Sequence, residues 1–200
     1  MRFLLPATAA LTALVAAVAS PAGARVDAPG PQCGGTLWKL MTLSDTGKSS
    51  VKWAPAGTSL PDIAKLAAPA KIGTTRATAF QKQVWGLSTV VVDRYRMASN
   101  GELVLVLYDI PSSIYMDAYI PAPQCLPATT RGRAQILAAR DAFLKDCPAV
   151  TNQWHILGAT MQVRGVGFFD PAKTTLGALK NGAELRPLTG LTISQGCGHF

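Results

Sequence analysis

The sequence predicts a mainly β fold in which three strands are followed by one main helix and two further strands. Three observations predict this order. Apolar runs separated by turn residues fill 87–120, an amphipathic stretch fills 130–147, and apolar runs fill 159–169 and 183–193. The order is typical of an OB-like barrel with its helix between strands three and four. A small α+β sandwich is the alternative.

The first three predicted strands form a β-meander. Leu87 to Met97 is β-branched, and the tight-turn pair Asn100-Gly101 separates it from the apolar run Glu102 to Ile110. Ile114 to Ile120 alternates, which is typical of a half-buried strand. Its expected buried face consists of Ile114, Met116, Ala118 and Ile120, and its expected exposed face of Tyr115, Asp117 and Tyr119.

The predicted helix begins after Thr130, its expected N-cap, and ends at Pro148. Its buried stripe is expected to contain Ile136, Ala139, Phe143 and Cys147. The last two strands are Ala159 to Phe169 and Ala183 to Ile193. We expect Gly165 and Gly167 at bends in the barrel wall, because glycine inside a strand usually marks a bulge or a bend.

Before this domain, which is predicted over 84–197, residues 36–80 are expected to form an extension that packs on the barrel. Thr36 to Trp53 predicts two short strands. Leu60 to Ala68 predicts a short helix with Ser59 as its cap. Residues 25–35 are rich in proline and glycine and predict a flexible lead-in.

Residues 1–24 have the pattern of a signal peptide. Arg2 precedes an apolar run, Leu4 to Val18, and Ala22-Gly23-Ala24 is a small-residue cleavage site. We therefore expect a secreted or periplasmic protein. An uncleaved membrane anchor is the alternative, but the run is shorter than the roughly 20 residues that span a bilayer. No later segment is long and apolar enough to span.

Four cysteines follow the leader, and an even number in an oxidising compartment predicts two disulfides. Three pairings are possible. We favour Cys125 with Cys147, because these two flank the predicted helix, which leaves Cys33 with Cys197. No cofactor or metal is expected, since there is no C-x-x-C pair and only 2 histidines occur. His155 is expected to be structural.

The formal net charge of +8 is spread along the chain without a basic run. It indicates either a solvated basic surface or attraction to a polyanion, such as single-stranded nucleic acid, an acidic glycan or the anionic envelope. OB barrels bind ligands on the outer face of strands two and three. Aromatic and arginine side chains there would suit a single strand, and the candidate ligand-binding residues are Arg94, Arg96, Tyr115 and Tyr119. Alternatively, the two tyrosines lie beneath residues 36–80 as core.

The C-terminal part carries a resemblance. GVGFFD at 165–170, Gly177, Asn181-Gly182 and Glu184-Leu185-x-Pro187 resemble the signature of a group of small, mostly uncharacterised secreted bacterial proteins. Further matching segments are Asn100-Gly101-Glu102, IPAPQC at 120–125 and AARDAF at 138–143. The resemblance implies a secreted OB-like domain and no established activity. Where those proteins carry histidines, this chain has Val104, Pro171-Ala172-Lys173 and Arg186.

The sequence thus favours a secreted, non-enzymatic OB-like domain that binds a polyanionic ligand or an envelope protein. One alternative is a structural or protein-interaction module without a small ligand. Another is a nuclease-like hydrolase of an extracellular polymer, for which Asp109, Asp117 and Arg94 would have to meet on neighbouring strands. The oligomeric state is not predicted.

Overall fold

The computed structural model of the chain describes residues 33–147, 149–172 and 175–197. The predicted signal peptide and most of the predicted lead-in lie outside the described residues. Among the residues that are described, no helix is long and apolar enough to cross a membrane.

The described chain is mainly β with one main helix, as predicted. Its α-helices are α1 (Trp38–Met41), α2 (Leu60–Ala64) and the main helix α3 (Arg133–Asp146). Its strands are β1 (Lys52–Gly57), β2 (Gln83–Met97), β3 (Leu103–Asp109), β4 (Ile114–Ile120), β5 (His155–Phe169) and β6 (Ala183–Gln195).

All six strands belong to one mixed sheet in the order β1-β2-β3-β4-β6-β5. Strand β2 also pairs with β5, so β2, β3, β4, β6 and β5 close into a ring of five strands. Strand β1 pairs with β2 in parallel and is not a member of the ring. The predicted sequence of three strands, one helix and two strands is therefore confirmed for the ring.

The hydrophobic core combines the inward faces of the ring strands with α3 and with residues from the N-terminal segment. Met116, Ala118 and Ile120 of β4 are fully buried, as their alternation predicts. The buried stripe of α3 also follows prediction, and its Phe143 packs edge-on against Tyr95 of β2 at 5.2 Å between ring centroids. From the N-terminal segment, the core includes Leu43, Val51, Leu60, Ile63 and Phe80.

Glycines shape the long strand β5 as expected. Its register against β6 shifts on both sides of Gly165, between Arg164 and Gly167. A Cβ added at Gly165 would lie 2.8 Å from Leu188 Cδ2, so the strands approach closely there. Beyond the bend, Phe168 and Phe169 are both buried, and Phe169 belongs to the main hydrophobic cluster.

Two local predictions are wrong. The expected strand at Leu37 is the short helix α1, which the Thr42 hydroxyl closes by donating to the carbonyl of Trp38 at 2.9 Å. Thr130 is not the N-cap of α3, because a turn bonded from Thr130 N to Pro127 O intervenes, and Gly132 occupies the cap with φ of 69°. By contrast, Ser59 caps α2 as predicted, accepting from Asp62 N at 3.3 Å.

All four cysteines form disulfides, but the favoured pairing is wrong. The bonds are Cys33–Cys125 and Cys147–Cys197. Helix α3 packs against β6, so Cys147 at its end lies beside Cys197, which follows that strand. Cys125 instead lies with Trp38 and Ala122 in a small separate cluster, next to the start of the described chain. The packing of α3 against β6 therefore determines which cysteines pair. Their positions on either side of one helix in the sequence do not.

Candidate functional site

Three of the predicted ligand-binding residues lie in two aligned rows of the sheet. Arg94 pairs with Val106, which pairs with Asp117, and Arg96 pairs with Val104, which pairs with Tyr119. Directly paired residues in antiparallel strands project to the same side. A third row contains Tyr108 and Tyr115. We call this side of β2, β3 and β4 the outer face; it carries all four predicted residues, Arg94, Arg96, Tyr115 and Tyr119.

The connection between β5 and β6 covers the middle of the outer face. Gly177 N donates to Asp117 Oδ1 at 3.2 Å, and the Thr175 hydroxyl donates to Asp117 Oδ2. A Cβ added at Gly177 would lie 3.0 Å from Val106 Cγ1, so the connection rests directly on β3.

The expected exposure of Asp117 and Tyr119 is therefore wrong. Asp117 is 1 % exposed and Tyr119 is 5 % exposed. The alternation of β4 correctly separates the two sides of the strand, but it carries no information about what packs on the second side. The competing interpretation places both tyrosines as core beneath residues 36–80. Tyr119 is buried and Tyr115 is 40 % exposed, and residues 175 and 177 supply hydrogen bonds to Asp117, which lies between them.

Beneath this cover lies a buried cluster of charged and polar side chains, formed by Glu102, Asp117, Tyr119, Glu184 and Arg186. Arg186 binds Glu102 through two hydrogen bonds, one of them from Nε to Oε1 at 3.1 Å. Its Nη1 also lies 3.6 Å from Glu184 Oε1. The guanidinium carbon sits 4.3 Å from the centroid of the Tyr119 ring. The Arg186 side chain therefore contacts the carboxyl groups of Glu102 and Glu184 and the phenol ring of Tyr119.

Burial is the main cause of the pKa shifts of Glu184, Asp117 and Tyr119 in this cluster. It raises the pKa of Glu184 well above its ordinary value, although Arg186 opposes the shift. Burial also raises the pKa of Asp117, against the hydrogen bonds from Thr175 and Gly177. The pKa of Tyr119 is raised by burial and by Glu184 and Asp117. The phenol of Tyr119 and the carboxyl groups of Glu184 and Asp117 therefore resist ionisation. This behaviour is typical of a packed structural layer that is shielded from solvent.

The sequence interpretation missed Glu102, Glu184 and Arg186 as one unit. A signal was present, because Glu184 and Arg186 are two residues apart in a predicted strand and so project to one side. Val104 is the cross-strand neighbour of Tyr119, and the Arg186 guanidinium lies on the Tyr119 ring.

Beyond the cover, the outer face carries an open tyrosine pair. Tyr108 and Tyr115 stack at 4.5 Å between centroids and 27° between planes, and Tyr115 is 40 % exposed. A cleft of about 330 Å³ adjoins Tyr108, and its lining includes Val91, Ile110 and Pro111. Another of about 380 Å³ adjoins Tyr115, and its lining includes Ile114 and Leu176. The pair therefore separates two largely apolar clefts.

The arginines lie on the neighbouring strand of the same face. The Arg96 guanidinium lies 4.8 Å from the centroid of a Trp154 ring. Arg94 Nε donates to Asp93 Oδ2 at 2.6 Å, in a pair that is partly exposed. Trp154 was not predicted, because the pairing of β5 with β2 brings it beside Arg96 from a distant part of the sequence. We call Trp154, Arg96, Arg94, Tyr108 and Tyr115 the aromatic–arginine strip.

The residues considered for a hydrolytic centre do not meet. Asp109 pairs with Ile114 and accepts from Ser112 N at 3.0 Å, which caps the β3–β4 turn. Asp109 follows Tyr108, so the alternation of the strand directs the Asp109 side chain away from the outer face. Asp117 is buried on the outer face, so the two carboxyl groups lie on opposite sides of the sheet. Within the described ranges, no group of three His, Cys, Asp or Glu side chains could hold a metal ion.

His155 is the histidine within the described residues, and its contacts are structural. Its ring stacks on Tyr95 at 5.3 Å between centroids, and Nε2 hydrogen-bonds the Thr151 hydroxyl at 2.7 Å. These contacts agree with the interpretation of His155 as a structural or surface residue.

Comparison with family models, with curated proteins and with solved structures found no match to this chain. The resemblance carried by GVGFFD at 165–170 therefore stays a prediction.

Proposed function

We propose that this chain is a secreted OB-like domain that binds a polyanionic ligand along the aromatic–arginine strip, without catalysis. The observation that carries the proposal is the placement of Arg94 and Arg96 on the same face as Tyr108 and Tyr115. Aromatic surfaces with adjacent cations are the usual equipment for binding single strands without strong sequence preference.

The ring topology supports the OB-like part of this proposal. Its five strands with a helix between the third and the fourth have the order of an OB fold, in which strands two and three provide the ligand face. Those strands correspond to β3 and β4, which carry the tyrosine pair. Since the β5–β6 connection covers the middle of the face, a ligand would follow the uncovered side along β2.

Export is supported by the two disulfides, because such bonds persist mainly in oxidising compartments. The leader-like pattern of residues 1–24 points the same way. The net charge of +8 would favour encounter with a polyanion, such as single-stranded nucleic acid or an acidic glycan of the envelope.

A second candidate function is a protein-interaction module, and the surface around the tyrosine pair favours it. Ile110 is 62 % exposed and Leu176 is 56 % exposed, one in each cleft. Exposed apolar side chains grouped around an aromatic pair are typical of protein contacts. Binding through this surface would persist at high salt, whereas binding of a polyanion would weaken steeply.

The proposal is tested with labelled single-stranded DNA and with heparin at low ionic strength. We expect Arg94→Gln with Arg96→Gln to weaken binding at least about tenfold, since each arginine contributes a charge-assisted contact. The matched control is Lys65→Gln with Lys71→Gln, which removes the same charge from exposed sites elsewhere. The control variant should bind like the parent. If the Arg94 and Arg96 variant also binds like the parent, the strip is not the binding site.

A further inference from the structure

A separate cleft lies at the opposite end of β2 from the aromatic–arginine strip. Its lining consists of Ser50, Lys52, Ala79, Lys82, Gln83 and Trp85, and its volume is about 470 Å³. It is larger than either cleft beside the tyrosine pair. Ligand sites for small molecules usually enclose about 300–1,000 Å³, so this cleft has the size of such a site.

Trp85 forms a fixed carbon surface in the cleft. Its indole Nε1 donates to the Phe80 carbonyl at 2.9 Å, so the polar atom of the ring is already used. The indole also packs on the Phe80 ring at 5.8 Å, and Phe80 packs on Phe169 of the core at 5.2 Å. The part of Trp85 that lines the cleft therefore offers apolar contact from a position held by the core.

Two lysines supply positive charge beside this surface. Lys52 of β1 is the register partner of Gln83, and Lys82 directly precedes β2. The Gln83 amide nitrogen donates to the carbonyls of Lys52 at 3.4 Å and Ala54 at 2.7 Å, which holds β1 alongside β2. The lining contains no acidic side chain, and within the described chain neither lysine forms an ion pair.

Ser50 adds a polar group at the wall. Its hydroxyl donates to Gly47 O at 2.7 Å, so the remaining capacity of the oxygen is to accept. The cleft thus combines a carbon surface, two ammonium groups and an acceptor. A sugar unit presents the complement, with an apolar ring face, hydroxyl donors and, when acidic, a carboxylate or sulfate.

We propose that this cleft binds one acidic sugar unit of an extracellular glycan. Trp85 contacts the ring face, Lys52 and Lys82 bind the anionic group, and Ser50 accepts from a sugar hydroxyl. Lysine ammonium groups act as compact point charges and suit a single anionic group. Single-stranded nucleic acid instead needs a groove that follows several phosphates, whereas this cleft is lined by two cationic side chains, Lys52 and Lys82.

The test is isothermal titration of the purified disulfide-bonded protein with four probes at one ionic strength. These probes are trigalacturonate, a heparin-derived disaccharide, a neutral galactose trimer and a short single-stranded DNA. We expect binding of at least one acidic sugar and none of the neutral trimer. Lys52→Gln with Lys82→Gln should lower the affinity for the acidic sugar at least about tenfold, because two charge-assisted contacts are lost.

One control variant separates this site from the general charge of the chain. Lys65→Gln with Lys71→Gln makes the same change in net charge at exposed positions and should leave the affinity unchanged. Circular dichroism and thermal unfolding verify that each variant is folded, and the substituted lysines lie outside the hydrophobic core.

Three results with the sugar probes would overturn the assignment. These are failure of the parent to bind either acidic sugar, equal binding of the neutral trimer, and parental affinity in the Lys52 and Lys82 variant. Loss of DNA binding alone in the lysine variant would assign the cleft to nucleic acid and contradict the proposal.

Discussion

Arg186 of β6 and Glu102, which precedes β3, form a two-bond ion pair that is nearly closed to solvent. The two residues are 84 positions apart, and the side chains are 9 % and 2 % exposed. Removing one partner of such a pair leaves the other charge buried, which typically costs about 3–5 kcal/mol. We therefore expect Glu102→Ala to lower the free energy of unfolding by about this amount in urea titrations.

A surface pair provides the control for that measurement. Asp93 and Arg94 are 24 % and 33 % exposed, and exposed pairs contribute about 0–1 kcal/mol. Asp93→Ala should therefore have little effect on unfolding. Equal losses in the Glu102 and Asp93 variants would contradict the buried cluster.

Glu184 predicts a specific pH dependence of stability. Because burial raises its pKa in the folded state, the folded chain binds the proton more tightly than the unfolded chain. Its contribution is fully present below the unfolded value of 4.5 and is lost as the pH rises through the raised folded value. Compared with the parent, Glu184→Gln should gain relative stability as the pH rises across that window, measured by urea unfolding at a series of pH values. A parent–variant difference that is constant with pH would contradict this assignment.

Gly177 tests the cover over the outer face. A Cβ there would lie 2.6 Å from Asp117 Oδ1 and 3.0 Å from Val106 Cγ1, so Gly177→Ala forces the connection away from β3 and β4. We expect a loss of about 1–3 kcal/mol in unfolding free energy, as in other overpacked sites. Gly73→Ala is the matched control, because a Cβ at Gly73 meets nothing within 4 Å. Similar stability of the two variants would mean that the cover does not rest on the sheet.

The disulfides predict both a peptide map and a stability order. Non-reducing digestion should yield peptides linked through Cys33–Cys125 and Cys147–Cys197. Each double Cys→Ser variant should lose about 2–4 kcal/mol, and the chain-entropy model makes the bond of separation 92 stronger than that of 50 by roughly 0.5 kcal/mol. A map with Cys125 linked to Cys147 would contradict the placement of α3 against β6.

Apart from the strand expected at Leu37 and the Thr130 cap, features with a local cause were predicted well. The alternation of Ile114 to Ile120 predicts the inward side of β4, and the Ser59 cap predicts the start of α2. Features that depend on distant segments were not. The burial of Asp117 results from a connection more than fifty residues later, and the partner of Cys147 depends on which strand α3 packs against. Neither the covering connection nor the disulfide partner can be predicted from the sequence on either side of the residue itself.

The same division applies to the candidate site. Arg94, Arg96 and Tyr115 were predicted because their strands and alternation are local properties. Trp154 joins the strip only through the pairing of β5 with β2, which brings its segment beside Arg96. Pairing between strands that are distant in sequence is decided by closure of the ring, and no residue pattern marks it.

The central claim, that the aromatic–arginine strip binds a polyanion, is tested most directly by the salt dependence of affinity for single-stranded DNA. For single strands, the logarithm of the affinity falls with the logarithm of salt by about 0.7 per neutralised phosphate. The account predicts that Arg94→Gln with Arg96→Gln weakens binding at low salt and reduces this slope by about 1.4. A variant with the affinity and slope of the parent would contradict it.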